Sequence, residues 1–281
     1  MIECSDCGFK NPVVNEKCSC CGMFLGFPNV NECSQKEELD ALEKRYAEKV
    51  EFASKKGHEN KRIEFEEAVK KSVAVINVDL YYLHSLIVGK NTLYSTYQLQ
   101  TGAEIRDLAP AKFDKERLGI EGTLFGSYGE NIRYAALSLD GTGLTSYGEF
   151  TLVLTDTAVK KRATLLEENS YRFIGRHKIL AGGEIPRGYR AVWQDRYKLA
   201  AAKLLKKIIF ELTNGKNYAK IIMNSTGDRQ ADEFIEVHIY GKLIETAVQA
   251  VRGNSKNVSE KETLGRIKDY LAINKKDWIE E

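Results

Sequence analysis

The sequence predicts an α+β fold in three parts: a small metal-held head at 1–30, a helical connector at 35–89 and a mixed-sheet domain at 90–281. Three observations carry that reading. Five of the six cysteines fall within the first 21 residues, four of them as Cys-x-x-Cys pairs. A stretch dense in Glu and Lys follows, with apolar residues at helical spacing. Beyond it, apolar runs of strand length alternate with turn residues and with one long amphipathic segment.

With 281 residues, 43% of them hydrophobic, the chain can bury one sizeable core plus a small appendage. A net charge of +2 gives no strong overall field, so any basic surface must be local. No apolar run approaches the roughly 18 residues that a membrane span needs. The chain opens on a cysteine motif instead of a charged and then apolar leader, and cysteines at metal-ligand spacing suit a reducing compartment, so a cytoplasmic protein with no membrane partner is expected.

In the head, Cys4-x-x-Cys7-Gly8 and Cys18-x-x-Cys21-Gly22 place four thiolates at the spacing by which two tight turns grip one tetrahedral zinc. The glycine after each pair relieves the backbone where amides turn toward sulfur. Residues 1–26 resemble the short zinc-ribbon heads of many bacterial proteins. Cys20 is expected to be a surplus thiol and Cys33 a buried or idle one. Four thiolates leave no position for water, so the zinc is structural, holding folded a segment too small to own a core.

The connector is expected as a helix from Glu37 to Lys56, stopped by Gly57, a second from Glu59 to about Val75, and a third capped by Asp79 with Leu80, Leu83 and Ile87 inward. Further on, Leu93–Tyr97 reads as helix or strand, Gly102 and Pro110 bracket a loop, and a polar helix spans Ala111 to Leu118. Ile132–Leu139 is expected as a central strand and Glu149–Leu154 as another. Arg133, at the mouth of the first, needs either a neighbouring carboxylate or a pyrophosphate. Gly141-x-Gly143 lacks the third glycine of a dinucleotide fingerprint. Tyr171–Gly175 reads as a strand ending in a turn, a poor setting for the Arg172/His177 spacing that one family of helical ribonucleases places on a helix.

Asp195 opens the longest amphipathic helix, with Leu199, Ala202, Leu205, Ile208 and Ile209 at helical period; its Lys203, Lys206 and Lys207 form the best candidate for a local basic patch. Tyr218–Met223 is expected as a strand, Lys242–Arg252 as a helix or short cross-connection, and Ser259–Ile273 as a closing helix. Between them, Phe234–Gly241 alternates with period two: Ile235, Val237 and Ile239 face a core, and Phe234, Glu236, His238 and Tyr240 face the other way. Aromatics flanking a carboxylate and an imidazole fit a cleft wall. They fit equally a sheet face covered by a helix, with Glu236 and His238 bonded to neighbours.

A strand with Arg133 at its entry, a mid-chain serine and tyrosine, and a late strand opening on Glu236 resemble, in that order, the ADP-ribosyltransferase fold over residues 90–252. The segment Arg229–Gly241 is similar to the glutamate strand of toxin-like members that modify nucleic acid. The resemblance implies Glu236 as catalytic glutamate with Tyr147 beside it, Arg133 holding NAD, Ser138, Phe234 and Tyr240 lining the pocket, a nucleic-acid or protein acceptor, and a neutralising partner protein. Such chemistry wants a carboxylate beside an oxocarbenium-like ribose. There is no Ser-Thr-Ser run, and Phe234 stands where many relatives carry Glu or Gln, which argues against the protein-arginine subgroup. The rival reading is a non-catalytic zinc-ribbon adaptor that binds nucleic acid or a protein. A ribonuclease built on Arg172 and His177 is third.

Overall fold

The computed structural model describes residues 1–89, 119–211, 215–229, 231–257 and 259–281. The expected elements at 91–118 lie outside the described residues. The head pairs β1 (Ile2–Glu3) with β2 (Lys10–Asn11). Then come α1 (Pro28–Cys33), α2 (Lys36–Lys55), α3 (Glu59–Lys70), β3 (Val73–Val78) and α4 (Leu80–Val88). After a helical segment at 119–125 follow β4 (Ile132–Ser138), β5 (Phe150–Leu154), α5 (Asp156–Val159), β6 (Ala163–Leu166), α6 (Ser170–His177) and β7 (Arg190–Val192). The chain then forms α7 (Arg196–Phe210), α8 (Tyr218–Ile222), β8 (Glu236–Tyr240), β9 (Val248–Gly253), α9 (Lys261–Ile273) and β10 (Asp277–Glu280).

The main sheet has the order β10-β9-β5-β3-β4-β8-β6-β7, parallel between β9 and β10 and antiparallel at the other described pairings. Ile132–Ser138 is a central strand, as its apolar run predicts. The segment 35–89 is not helical throughout. The helix from Glu59 stops at Lys70, and Val73–Val78 becomes a central strand between β4 and β5. Val73 continues the helical spacing from Val69, which hides the switch; the β-branched Val73, Val75, Ile76 and Val78 mark it. The third helix forms as expected, with the Asp79 carboxylate accepting the Tyr82 N–H at 2.7 Å.

Three further expectations are corrected. Tyr171–Gly175 lies in α6, because the Asn169 side chain accepts the N–H groups of Tyr171 and Arg172 and so starts a helix. Tyr218–Ile222 is helical, with the Tyr218 ring packed 5.3 Å from Phe65. Most of 242–252 is not a helix: after a 3₁₀ turn it forms β9, which is also the partner of the unanticipated β10.

Register assigns the faces. Ala135 stands opposite Val237, and Leu165 opposite Val237, so these share one apolar face with Ala74, Ile76, Leu137 and Leu152. Glu236, His238 and Tyr240 share the reverse face with Ala136, Tyr134, Thr164 and Leu166. A second apolar cluster of Leu124, Phe125, Tyr128, Leu166 and Phe173 closes over that reverse face.

Candidate functional site: a four-cysteine head, a sealed carboxylate and a cationic ridge

The four sulfurs of Cys4, Cys7, Cys18 and Cys21 lie within 4.8 Å of one another. Cys4 Sγ to Cys21 Sγ and Cys7 Sγ to Cys18 Sγ are each 3.6 Å. A tetrahedral zinc with Zn–S near 2.3 Å requires sulfur separations of about 3.8 Å, so the cluster fits that ion. The two turns are repeats of each other: the Gly8 N–H donates to Cys4 O and the Gly22 N–H to Cys18 O, with φ of 71° and 78° that favour glycine. Cys18 Sγ also accepts the Cys20 N–H at 3.4 Å. The Cys20 thiol stands outside the cluster and is exposed. Cys33 is buried, and burial pushes its thiol up to about 12.

The head is seated on the body. Tyr240 donates its hydroxyl to Glu16 Oε2 at 3.0 Å, its ring lies 5.5 Å from Phe27, and Phe27 meets Phe24 at 5.2 Å. Burial and Glu16 push the Tyr240 phenol up to about 12. Tyr240 is therefore a docking residue for the head. Asn29 of α1 adds a second attachment, donating to the carbonyls of Arg162 and His238.

Glu236 does not face a cleft. It is 5% exposed and His238 2%. Phe125 and Tyr134 lie edge-on to the His238 ring at 4.9 and 5.3 Å. Phe125 also lines a cavity of about 450 Å³ bordered by α1, α2 and residues 182–187, a space that neither Glu236 nor His238 lines. Glu236 Oε2 accepts the backbone N–H of Ser170 at 3.0 Å, the Ser170 hydroxyl, and His238 Nε2 at 2.9 Å. The carboxylate thus anchors the N-terminus of α6, where the helix dipole favours negative charge. A serine, a histidine and a glutamate meet here, but Ser170 Oγ and Glu236 both address Nε2, whereas a nucleophilic relay uses the two ring nitrogens for the two partners. Ser170 is absent from the sequence expectations; the Asn169-Ser170 cap was the signal for it.

The other expected pocket residues are scattered. Arg133 stands opposite Ile239 in the β4–β8 ladder, so it leaves the sheet on the face away from Glu236. Its guanidinium lies 3.4 Å from Glu130 O. Ser138 closes the Asp140 turn, accepting the Gly141 N–H. Tyr147 sits in a 3₁₀ turn, its ring 6.2 Å from Phe234 and under the Arg229 guanidinium. Arg172 and His177 do share a helix, α6, yet diverge: Arg172 donates to Asp232 O, while His177 packs between Phe173 and Tyr189.

What the structure does assemble is a ridge of cations. Glu167 and Glu168, where β6 runs into α6, are buried. Arg45 of α2 pairs with Glu167 at 2.7 Å and stacks on Tyr189; Arg176 of α6 bridges Glu167 and Glu168. Arg172 reaches the 232–233 segment, and Lys203 of α7 donates to the neighbouring Phe234 O at 3.1 Å, which brings α6 and α7 together. Burial pushes Lys203 down to about 8, against the pull of Glu167, Glu168 and Glu233. Burial and the neighbouring Lys206 and Arg45 lower Lys49 as well, which shows how closely α2 and α7 bring these cations. Lys206 and Lys207 are exposed on the same side of α7 as Lys203. The lysine face legible in α7 is thus completed by Arg45, Lys49, Arg172 and Arg176 from elements distant in sequence.

No protein-family model matches this chain. No curated protein matches it either. The functional reading therefore rests on the geometry.

Among the described residues, no helix is long and apolar enough to cross a membrane.

Proposed function

We propose that this chain is a non-catalytic zinc-ribbon protein that binds nucleic acid along the ridge of α2, α6 and α7. The observation that carries it is the convergence of Arg45, Lys49, Arg172, Arg176, Lys203 and Lys206 around the buried pair Glu167 and Glu168. The two carboxylates hold the inner guanidiniums in place; the half-exposed Arg176 and the exposed Lys206 and Lys207 present charge outward. Phosphates are the anions such a spaced, multi-helix array recognises, since each neutralised phosphate releases counterions. Glu236 and Arg133 leave the sheet on opposite faces, which favours this reading over a transferase.

Fluorescence anisotropy with a labelled oligonucleotide tests this. Binding that contacts about four phosphates of a single strand should weaken with salt at a logarithmic slope of about −3. Lys206→Glu/Lys207→Glu should lower affinity about tenfold and flatten that slope, both substitutions lying on exposed positions that leave the fold intact. Salt-independent binding, or full affinity in the double variant, would remove the ridge from the account.

Lys203 adds a pH signature. Its folded value, about 8, is below its ordinary 10.5. The protonated ammonium therefore opposes folding, and stability rises with pH between these two values. Affinity should move the other way, falling from pH 7 to pH 9 at fixed ionic strength as the ridge loses a charge. Lys203→Met should flatten that fall; an unchanged pH profile in the variant would assign the titration elsewhere.

A further inference from the structure

The ridge carries rings as well as charges. Tyr171, in the first turn of α6 beside Arg172, is 57% exposed, and Phe210, at the last position of α7, is 69% exposed. Large aromatics left in water cost solvation that a core position would recover, so two of them bordering one cationic strip ask for an occupant with flat apolar faces and negative charge. The Tyr171 backbone is fixed by its N–H bond to the Asn169 cap, and the Phe210 ring leans on Phe52 at 5.6 Å, with the Lys206 ammonium 5.4 Å over that same Phe52 ring.

Their order along the surface matters. Arg172 and Lys203 are joined through the carbonyls of Asp232 and Phe234, two residues apart on one segment. From Lys203, α7 runs past Lys206 to Phe210, seven residues or about 10 Å at the helical rise. Arg172, Lys203 and Lys206 thus follow one another, with Tyr171 about 100° round α6 from Arg172 at one end and Phe210 one turn beyond Lys206 at the other. A duplex would engage the cations alone, because its base faces are stacked inside and unavailable to a protein ring. A single strand offers phosphates to the cations and unstacked bases to the rings.

Resting on the nucleic-acid reading above, we infer that the ridge binds single-stranded nucleic acid, with Tyr171 and Phe210 as base-stacking platforms at its two ends. The rings sit on helices and need little ordering on binding, so stacking strengthens the complex without selecting a base sequence.

The experiment compares a 20-nucleotide oligothymidine with a mixed-sequence duplex of equal length, against the wild-type chain and Tyr171→Ala, Phe210→Ala and the double variant. Each ring removed should weaken single-strand binding by roughly 5- to 150-fold and leave duplex binding unchanged; Tyr171→Ala should keep the melting temperature, and Phe210→Ala should lower it by about 2 °C for the lost Phe52 contact. With 5-bromodeoxyuridine in the strand, photocrosslinks should map to Tyr171 and Phe210 by mass spectrometry. Duplex bound as tightly as single strand, with both alanine variants neutral, overturns the stacking inference while leaving the cationic ridge standing. Binding of neither nucleic acid overturns the ridge and the inference together.

Discussion

Stripping the metal with a strong chelator is expected to release one zinc per chain, unfold residues 1–26 and lower the melting temperature of the whole protein. The head has almost no core of its own: its buried side chains are Cys4, Cys18 and Asn11, two of them ligands and the third bonded to a ligand sulfur. Without the ion the four thiolates repel, and the hydrogen bonds of Asn11 to Phe9 O, the Ser19 N–H and the Cys18 sulfur are too few to hold the two turns together. The body then loses what the head supplies to it, the Glu16 acceptor of Tyr240 and the Phe24–Phe27–Tyr240 ring contacts. One hydrogen bond to a charged group and two aromatic contacts sum to about 3 kcal/mol. At about 2 °C per kcal/mol for a chain of this size, the melting temperature should fall by about 6 °C. Cys18→Ser should reproduce both losses, and Cys20→Ser should keep the zinc, since that thiol lies outside the sulfur cluster. A melting curve that is unchanged after measured zinc release would mean that the head folds and docks without its ion.

The contrast between the head and the sheet shows what a sequence can carry. The Cys-x-x-Cys pairs were legible because a metal site is written in spacing, and local spacing survives folding. Asp79 as a cap, the stripe of α2 and the core face of α7 were legible for the same reason: each is decided within one or two turns of chain. Val73–Val78 was not, because its first valine also fits the preceding helix, and only pairing with β4 and β5 favours the strand. The strand of Glu236 was read with the right faces from Glu236 to Tyr240, but Phe234 precedes the strand and joins the main core beside Tyr147 instead of the Glu236 face, and what covers a face is a tertiary fact. Phe125 and Ser170 lie 111 and 66 residues away from Glu236, and nothing in the strand itself announces them. The ridge was half legible. Lys203, Lys206 and Lys207 stand on one helix, whereas Arg45, Lys49, Arg172 and Arg176 reach it from two others, gathered by carboxylates whose partners the sequence does not name.

Replacing Glu236 is expected to damage the fold before it touches any chemistry. In Glu236→Ala the Ser170 N–H and hydroxyl and the His238 ring lose their shared acceptor while remaining buried under Phe125 and Tyr134. Breaking such a buried network from one side costs about 3–5 kcal/mol, or about 6–10 °C in melting temperature. Glu236→Gln keeps an oxygen for Ser170 but gives up the charge that meets the helix dipole and the imidazole, for about 1.5–3 kcal/mol. A catalytic carboxylate in an open pocket behaves in the opposite way: its isosteric amide leaves the melting curve untouched and abolishes turnover. The two roles are thus separable by one thermal melt of Glu236→Gln with and without NAD. A lowered melting temperature and no stabilisation of the wild type by NAD fit the carboxylate as the knot that ties α6 to β8. An unshifted melt in the variant, together with a rise in the wild type on adding NAD, would return Glu236 to an active site, because a ligand that binds only the folded chain must raise its melting temperature.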